Sequence, residues 1–262
     1  MTLPFVISIP HCGARVPEEI RPALALNDRQ IEESVDFGTA EIFGGLPVLH
    51  VVQADLSRLV VDLNRAPDQT DPKGVAALTD YHGRRIYRKD AEPDQKTIAR
   101  RVDRFHRPYH RQLARVLSDP KVMALIDGHS LNGTGPADAP DPGKRRKDIV
   151  ISNNGDLEGL PRPGFGPVSC DRTHLMRFKE AFEQQGFTVS LNAPYHGGYI
   201  VRHFGRSLVE ANRFAVQIEL NQDLYMRPGS LSPEANRVAS VRRLVLAALE
   251  IMAAEVTSGD TV

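Results

Sequence analysis

Residues 122–130 read VMALIDGHS, an apolar run followed by small and polar residues. The run is typical of a buried β-strand, and we expect the chain to leave that strand at Asp127-Gly128-His129-Ser130. Similar short runs occur at 5–9, 47–52, 59–63, 149–152, 187–191 and 215–220. The sequence therefore predicts a sheet of short strands, several of which end in polar residues.

Segments with helical patterning lie between these strands, at 17–26, 28–43, 94–117, 171–185 and 232–254. Pro108 falls inside one of them and is expected to kink that helix. Strands that alternate with helices favour an α/β fold with a mostly parallel sheet. With 262 residues the chain can bury a substantial core, and we predict one domain over residues 1–262.

The composition excludes several classes of protein. Lys plus Arg number 33 and Asp plus Glu also number 33, so no net positive charge favours a nucleic-acid partner. The two cysteines, Cys12 and Cys170, cannot form a disulfide framework and indicate a reducing compartment. The N-terminal stretch lacks the features of a signal peptide, and no run approaches the roughly 20 apolar residues of a membrane span. We therefore expect a soluble cytoplasmic protein without a nucleic-acid or membrane partner.

Three strand ends carry residues suited to catalysis. His11 follows the run at 5–9, His129 follows the run that ends at 126, and Glu219 lies in the run at 215–220. In parallel sheets chemistry sits beyond the carboxyl ends of the strands, and imidazole with carboxylate suits zinc. Either histidine could instead be structural, and Glu219 could face solvent, but a buried acid in a strand calls for a function.

Two further groups could bind an anion. Arg58 and the pair Asn64-Arg65 surround the end of the run at 59–63, where a planar guanidinium and an amide could hold a carboxylate. The alternative is a structural ion pair between Asp62 and an arginine. Arg202 follows a Gly-Gly pair that would let backbone approach a ligand, although such turns are equally common without one.

Other polar features are less specific. The Gly/Pro-rich segment 132–147 beside His129 predicts either a lid or specificity loop or a surface excursion. Five histidines have no supporting context and are predicted to be surface or packing residues: His50, His82, His106, His110 and His174.

Eight blocks of the sequence, taken together, resemble the N-formylglutamate amidohydrolase family. They are IPHCG (9–13), VDFGTAEIF (35–43), SRLVVDLNR (57–65), IYR (86–88), RVDRFHRPYH (101–110), IDGHS (126–130), HGGYIVRHFG (196–205) and VQIELNQDLYM (216–226). This family is itself similar to the zinc carboxypeptidases and aspartoacylases. The resemblance implies a mixed, eight-stranded type of sheet with helices on both faces, a single zinc ion and hydrolysis of an amide.

The resemblance also implies roles for individual residues. His11 and His129 match the two zinc-binding imidazoles, and Glu219 matches the general acid/base. The pair at 64–65 matches the clamp for the substrate carboxylate, and Arg58 is a candidate for polarising the scissile carbonyl.

The third zinc ligand is not given by the carboxypeptidase pattern His-x-x-Glu, since Ala14 stands at the glutamate position after His11. Asp36, in the VDFGTAEIF block, is the first candidate. Asp127 is the second, and it could instead orient His129 as a hydrogen-bond acceptor.

These expectations combine into one predicted activity: zinc-dependent hydrolysis of an N-formyl or short N-acyl amino acid, with N-formyl-L-glutamate as the first candidate. Arg202 would add a contact to a substrate carboxylate. The alternatives are a deacylase of other N-acyl amino acids, a binding protein without catalysis, and a structural α/β domain that would leave Glu219 unexplained.

Overall fold

A mixed six-stranded sheet forms the centre of the molecule in a computed structural model that describes residues 2–258. The strands are β1 (Leu3–Ile9), β2 (Val48–Gln53), β3 (Ala124–Leu131), β4 (Ile149–Ser152), β5 (Val189–Leu191) and β6 (Phe214–Asn221). Their order is β2-β1-β3-β6-β4-β5; the first four are parallel, β4 is antiparallel to β6, and β5 is parallel to β4. The predicted mostly parallel α/β sheet is confirmed, with six strands in the described chain rather than eight.

Helices cover both faces of this sheet, as predicted. They are α1 (Asp28–Glu32), α2 (Thr39–Phe43), α3 (Gln95–Arg101), α4 (Arg107–Leu117), α5 (Arg172–Gln184), α6 (Tyr199–Glu210) and α7 (Ala235–Ser258). Helices α2, α5 and α7 share one apolar core with the sheet, and α3, α4 and α6 share the other. Within the described chain, no helix is long and apolar enough to cross a membrane.

The polar residues of VMALIDGHS belong to β3 itself, so the expectation that the strand ends at 126 is wrong. Backbone pairing with β6 continues to Leu131, in a register that sets Asp127 opposite Gln217 and His129 opposite Glu219. Side chains of a strand alternate between the two faces. One face of the sheet packs against α3, α4 and α6. On that face, both β3 and β6 begin with apolar residues and carry polar residues toward their carboxyl ends.

Gly128 points to the opposite face, where it makes room for an aromatic ring of α2. A Cβ atom built on Gly128 would lie 2.7 Å from the ring of Phe43. We therefore expect Gly128→Ala to lower the free energy of unfolding by about 1–3 kcal/mol through overpacking. Urea denaturation measures this effect, and a Phe43→Leu background should recover part of the loss. An unchanged midpoint for Gly128→Ala would contradict the close packing.

The run 59–63, predicted as a strand, is instead a buried turn segment. Several of its carbonyl groups accept hydrogen bonds from side chains, which takes the place of pairing with a neighbouring strand. His110 Nε2 donates to the carbonyl of Leu63 at 2.9 Å, and His106 Nε2 donates to the carbonyl of Arg65 at 2.9 Å. Both histidines are buried and stack on each other, which agrees with the packing alternative, and each also binds a backbone carbonyl.

The predicted helix 28–43 is also wrong, because the chain breaks between α1 and α2. Gly38 adopts a left-handed conformation with φ of 78°, and a Cβ atom there would lie 2.4 Å from the ring of Tyr225. Inside the break, the amide of Asp36 donates to the carbonyl of His11 at 3.0 Å. The break therefore places Asp36 beside the carboxyl end of β1.

Other helices agree more closely with the prediction. The segments 171–185 and 232–254 form α5 and α7, whereas in 17–26 only the 3-10 turn Arg21–Ala23 is helical. The segment 94–117 comprises α3, a π-helical turn Val102–His106 and α4. The three pieces follow one another without a break, and the π-helical turn lies directly before Pro108, in the turn that a proline inside a helix disturbs. Helix α6 was not predicted, although Ile200, Phe204 and Leu208 have helical spacing.

Candidate metal centre and cavity

A cavity of about 490 Å³ opens at the carboxyl ends of the parallel strands. This is where ligands bind in open α/β sheets. Its wall combines residues from the strands with residues from the long connections 66–93 and 132–147. The polar and charged residues of the wall include His11, Asp36, Arg58, Asn64, Arg65, Tyr81, His129, Arg146, Tyr195, Gln217 and Glu219.

Three buried side chains converge at the base of this cavity. His11 lies two residues after β1, His129 lies in β3, and Asp36 lies in the break between α1 and α2. Asp36 Oδ2 is 3.0 Å from His129 Nδ1 and 3.6 Å from His11 Nδ1. One donor atom from each residue lies within 4.8 Å of the others, so the group could hold a metal ion.

A second layer of carboxylates fixes the orientation of both imidazoles. Asp62 Oδ1 is 2.8 Å from His11 Nε2, and Asp127 Oδ2 is 2.9 Å from His129 Nε2. When each carboxylate accepts the Nε2 proton, both Nδ1 atoms are left free to bind a metal ion. His11 Nδ1 is buried and has no hydrogen-bond partner in the described chain.

This arrangement fits a divalent metal ion in the donors it offers and in their orientation. It favours Asp36 over Asp127 as the third ligand, since Asp127 is engaged on the far side of the His129 ring.

Charges are strongly coupled in this cluster. Burial alone would raise the pKa of Asp36, but hydrogen bonds from His11 and His129 outweigh burial and lower it. Burial opposes protonation of His129, yet its two carboxylate partners raise its pKa well above the usual value. Burial also acts to raise the pKa of Asp62, but the positive charges of Arg58 and His11 outweigh burial and hold this pKa well below its usual range. The cluster therefore stabilises positive charge at its centre.

Asp62, which binds His11 on the side away from the three donors, allows a test of the metal site without removal of a donor. We expect Asp62→Asn to weaken metal affinity by roughly 10–100-fold, because a neutral amide has one acceptor oxygen for the donors of His11 and Arg58 that the two carboxylate oxygens now bind. Titration against a chromophoric chelator measures the affinity. Asp119→Asn is the matched control, since Asp119 pairs with His50 at 3.2 Å outside the cavity. Equal metal affinity in Asp62→Asn and Asp119→Asn would show that Asp62 does not support the site.

Glu219 lies beside this centre with a perturbed acidity. It is buried in β6, lines the cavity and pairs in register with His129 on the adjacent strand. Burial, with the charge of Asp36 adding to it, raises the pKa of Glu219 to about 7 despite the attraction of His129. Gln217 Nε2 donates to Glu219 Oε1 at 2.8 Å and fixes the carboxylate. A carboxyl group with this pKa can exchange a proton near neutral pH.

Arg58 reaches the same centre from the segment before the Asn64-Arg65 pair. One of its terminal nitrogens donates to Asp62 Oδ2 and to the Tyr81 hydroxyl, both at 2.8 Å, and the other lies 3.7 Å from Asp36 Oδ1. The ion pair between Asp62 and an arginine, considered above as an alternative, is thus present. It coexists with exposure of Arg58 to the cavity.

The side chain of Asn64 lines the cavity and also binds protein partners, and its role as a substrate clamp stays a prediction. Its Nδ2 atom is 3.0 Å from Asp127 Oδ2, and its Oδ1 atom accepts from the amide of Ile200 at 2.8 Å. A Cβ atom on Gly198 would lie 2.2 Å from Asn64 Nδ2, so the Gly-Gly pair allows this close approach. We therefore interpret Asn64 as a residue that joins β3 to the start of α6.

The three arginines predicted to contact substrate differ in their pairing. Arg58 is neutralised by Asp62, whereas Arg65 lines the cavity and has no carboxylate within 4.0 Å in the described chain. Arg202 is exposed on α6 and lies outside the cavity wall, with its Nε donating to the carbonyl of Gly198 at 3.1 Å. Partial burial and the charges of Arg65 and Arg162 lower the pKa of Arg202.

Several residues of the cavity were not found by sequence reasoning. Gln217 could have been found from its position two residues before Glu219, because such residues share a strand face. Tyr81 and Arg146 lie in irregular connections, where no periodicity marks them. Arg146 is buried and held by Asp141 at 2.6 Å, and it donates to the hydroxyl of Tyr195 at 3.3 Å. The segment 132–147 therefore contributes to the cavity wall and is not a detached surface excursion.

The fold and the cavity define a class of protein: an α/β protein in which buried imidazoles and a carboxylate converge next to an ionisable glutamate, as in metal-dependent hydrolases. The N-formylglutamate amidohydrolase family model matches residues 3–226. The chain belongs to this family, and the resemblance drawn from its sequence blocks is confirmed.

Individual relatives agree with this assignment. The N-formylglutamate deformylase of Pseudomonas aeruginosa is 31% identical over 242 residues, and that of Pseudomonas putida is 29% identical over 237 residues; each alignment covers 86% of this chain and 82% of the relative.

Two solved structures share the fold. The N-formylglutamate amidohydrolase of Ralstonia eutropha JMP134 superposes with a TM-score of 0.77 at 21% identity, over 98% of this chain and 95% of that one. A protein from Agrobacterium tumefaciens superposes with a TM-score of 0.62 at 18% identity, over 98% and 91% of the two chains. The likeness to zinc carboxypeptidases stays a prediction.

Proposed function

We propose that this protein hydrolyses N-formyl-L-glutamate to formate and glutamate, and that it does so with one zinc ion bound by His11, Asp36 and His129. The observation that carries the proposal is the meeting of these three donors with Glu219 in one cavity. The names of the Pseudomonas relatives support the choice of substrate. Two imidazoles and a carboxylate are a common ligand set of catalytic zinc.

The residues of the chain divide the chemistry between them. A zinc ion at this site would supply Lewis-acid polarisation of the formyl carbonyl and a water of lowered pKa. Glu219 takes a proton from the attacking water and returns it to the departing nitrogen. Arg58 stabilises the negative charge that develops on the carbonyl oxygen. Because Gln217 fixes one oxygen of Glu219, the carboxylate stays aimed at the reacting groups.

Arg65 provides local positive charge in the cavity, so the protein can bind an acidic substrate although its net charge is zero. Two other arginines of the cavity wall, Arg58 and Arg146, are paired with Asp62 and Asp141. Arg65 has no such partner in the described chain, so its guanidinium is available to a carboxylate of the substrate. Arg202 stays a prediction for the second carboxylate.

A comparison of substrates tests the proposed function. Purified protein is loaded with zinc and assayed for formate or acetate release from N-formyl-L-glutamate, N-acetyl-L-aspartate and N-formyl-L-methionine. We expect kcat/KM to be highest for N-formyl-L-glutamate. Preference for N-acetyl-L-aspartate or N-formyl-L-methionine would indicate a different deacylase, and absence of turnover on all three with zinc bound would contradict the enzyme assignment.

The raised pKa of Glu219 predicts the acid side of the pH profile. The general base must be deprotonated, so the rate should rise with pH and fall about tenfold per unit below the pKa of Glu219. That pKa is about 7 without a metal ion, and a bound cation lowers it. We therefore expect the acid limb of kcat/KM to have its midpoint at or below about pH 7. A rate that is independent of pH between 4 and 7 would remove Glu219 as the base.

A further inference from the structure

Two buried histidines lie behind the Asn64-Arg65 pair, outside the cavity wall. His106 ends the π-helical turn and His110 lies one turn later in α4. Their rings stack, with centroids 4.1 Å apart and planes 18° from parallel. The ring of Phe204 in α6 is also nearly parallel to that of His110, with centroids 5.8 Å apart and planes 11° from parallel. The two rings are therefore held in one orientation between α4 and α6.

Both rings donate to the backbone that carries the cavity residues. His110 Nε2 binds the carbonyl of Leu63 and His106 Nε2 binds the carbonyl of Arg65, each at 2.9 Å. The carbonyl between them, that of Asn64, accepts from the amide of Tyr199 at 3.1 Å. Three successive carbonyls are thus each bound by a donor from outside the segment, which fixes its backbone without strand pairing.

The rings carry out this task in the neutral form. Burial, with the neighbouring His106 adding to it, lowers the pKa of His110 to about 4, and burial lowers the pKa of His106. At neutral pH each ring therefore carries one proton, which lies on the Nε2 that donates to a carbonyl. The buried Nδ1 of His110 has no hydrogen-bond partner in the described chain, in agreement with this tautomer.

We propose that His106 and His110 are positioning residues for substrate binding, which fix the carbonyls on either side of Asn64 and thereby aim the Arg65 guanidinium into the cavity. This proposal rests on the proposed function, because it assumes that Arg65 binds a carboxylate of the substrate. A lost carbonyl hydrogen bond would let the backbone at 63–65 relax and move Arg65. Substrate affinity should then suffer more than the chemical step.

A pair of substitutions at His106 tests the proposal. His106→Leu removes the donor but keeps the bulk, whereas a Gln side chain retains an amide N–H that can reach the same carbonyl. We expect His106→Leu to raise KM for N-formyl-L-glutamate by about tenfold with a much smaller change in kcat. His106→Gln should recover most of the loss in KM. His174→Leu is the matched control, since His174 lies on α5 away from the cavity.

Coupling to Arg65 separates positioning from general destabilisation. In an Arg65→Gln background, His106→Leu should raise KM little further, because the guanidinium that His106 positions is already absent. An unchanged KM in His106→Leu, or the same increase in both backgrounds, would overturn the proposal. Calorimetric affinity for L-glutamate provides the same comparison without turnover. A wild-type protein that binds glutamate but does not hydrolyse N-formyl-L-glutamate would therefore contradict the proposed function alone.

Discussion

Replacing Glu219 with glutamine should lower kcat by roughly 10²–10⁴-fold while metal content and substrate affinity stay near those of the wild type. The reason is chemical. The amide has the shape of the carboxyl group and can still accept from Gln217 through its oxygen, but it cannot take up a proton from water. Stopped assays of formate release measure kcat, and calorimetry on Glu219→Gln measures substrate binding without turnover.

A second acid at the same cavity provides the control for this experiment. Glu33 lines the rim and pairs with Arg84 at 2.6 Å, so Glu33→Gln also removes a carboxylate from the cavity wall. We expect Glu33→Gln to retain most of the wild-type kcat. Unchanged turnover in Glu219→Gln would remove Glu219 from the mechanism, and equal losses in both variants would indicate a general electrostatic effect of the wall.

The two histidines and the acid of the cavity were predictable because they follow from the position of polar residues on apolar strands. His11 follows a short buried run, and the face alternation of β3 and β6 brings His129 opposite Glu219. An acid or imidazole on such a strand loses its hydration when buried, and it persists only with a partner or a function. The meeting of these residues at one cavity was therefore predictable from the sequence, although the strand was expected to end too early.

Asp36 and the segment that carries Asp62 were harder to place beside the two histidines, because both lie in irregular backbone. Asp36 reaches the site only because the chain breaks before Gly38, and a helix pattern over 28–43 conceals that break. The segment around Asp62 is apolar and β-branched, as a strand would be, yet its carbonyls are bound by side chains from distant helices. Sequence periodicity reports which residues are buried, and it does not report which donors satisfy the backbone.

Asn64 shows the same limit for a single side chain. Its type and its neighbour Arg65 suggested a carboxylate clamp, and only the arrangement in space separates the two residues. Asn64 is bound by Asp127 and by the amide of Ile200, whereas Arg65 donates to the carbonyls of Lys73 and Asn64 and has no carboxylate within 4.0 Å in the described chain. Residue type predicted the hydrogen-bonding groups that were available, and the tertiary contacts show which partners each of the two residues already binds.

Removing the metal ion should abolish the activity, and this is the second large effect we expect. Purified protein should contain about one zinc ion per chain, and extraction with a chelator should reduce formate release to background until zinc is restored. His129→Ala should fail to bind zinc, because it deletes a proposed ligand and leaves Asp36 and Asp127 without their shared imidazole. Metal analysis and activity are measured on the same preparations.

His50→Ala is the matched control for His129→Ala, because His50 also pairs with an aspartate but lies on β2 away from the three donors. It should keep both zinc and turnover.

Bound zinc should also raise the melting temperature of the wild type but not that of His129→Ala, since a ligand that binds only the folded state stabilises it. That thermal readout does not depend on catalysis, so it distinguishes a metal site with an unexpected substrate from a cavity that binds no metal. Full activity of metal-free wild type would contradict the role of the three donors, because Glu219 and Arg58 would then suffice to activate water and hold the developing charge.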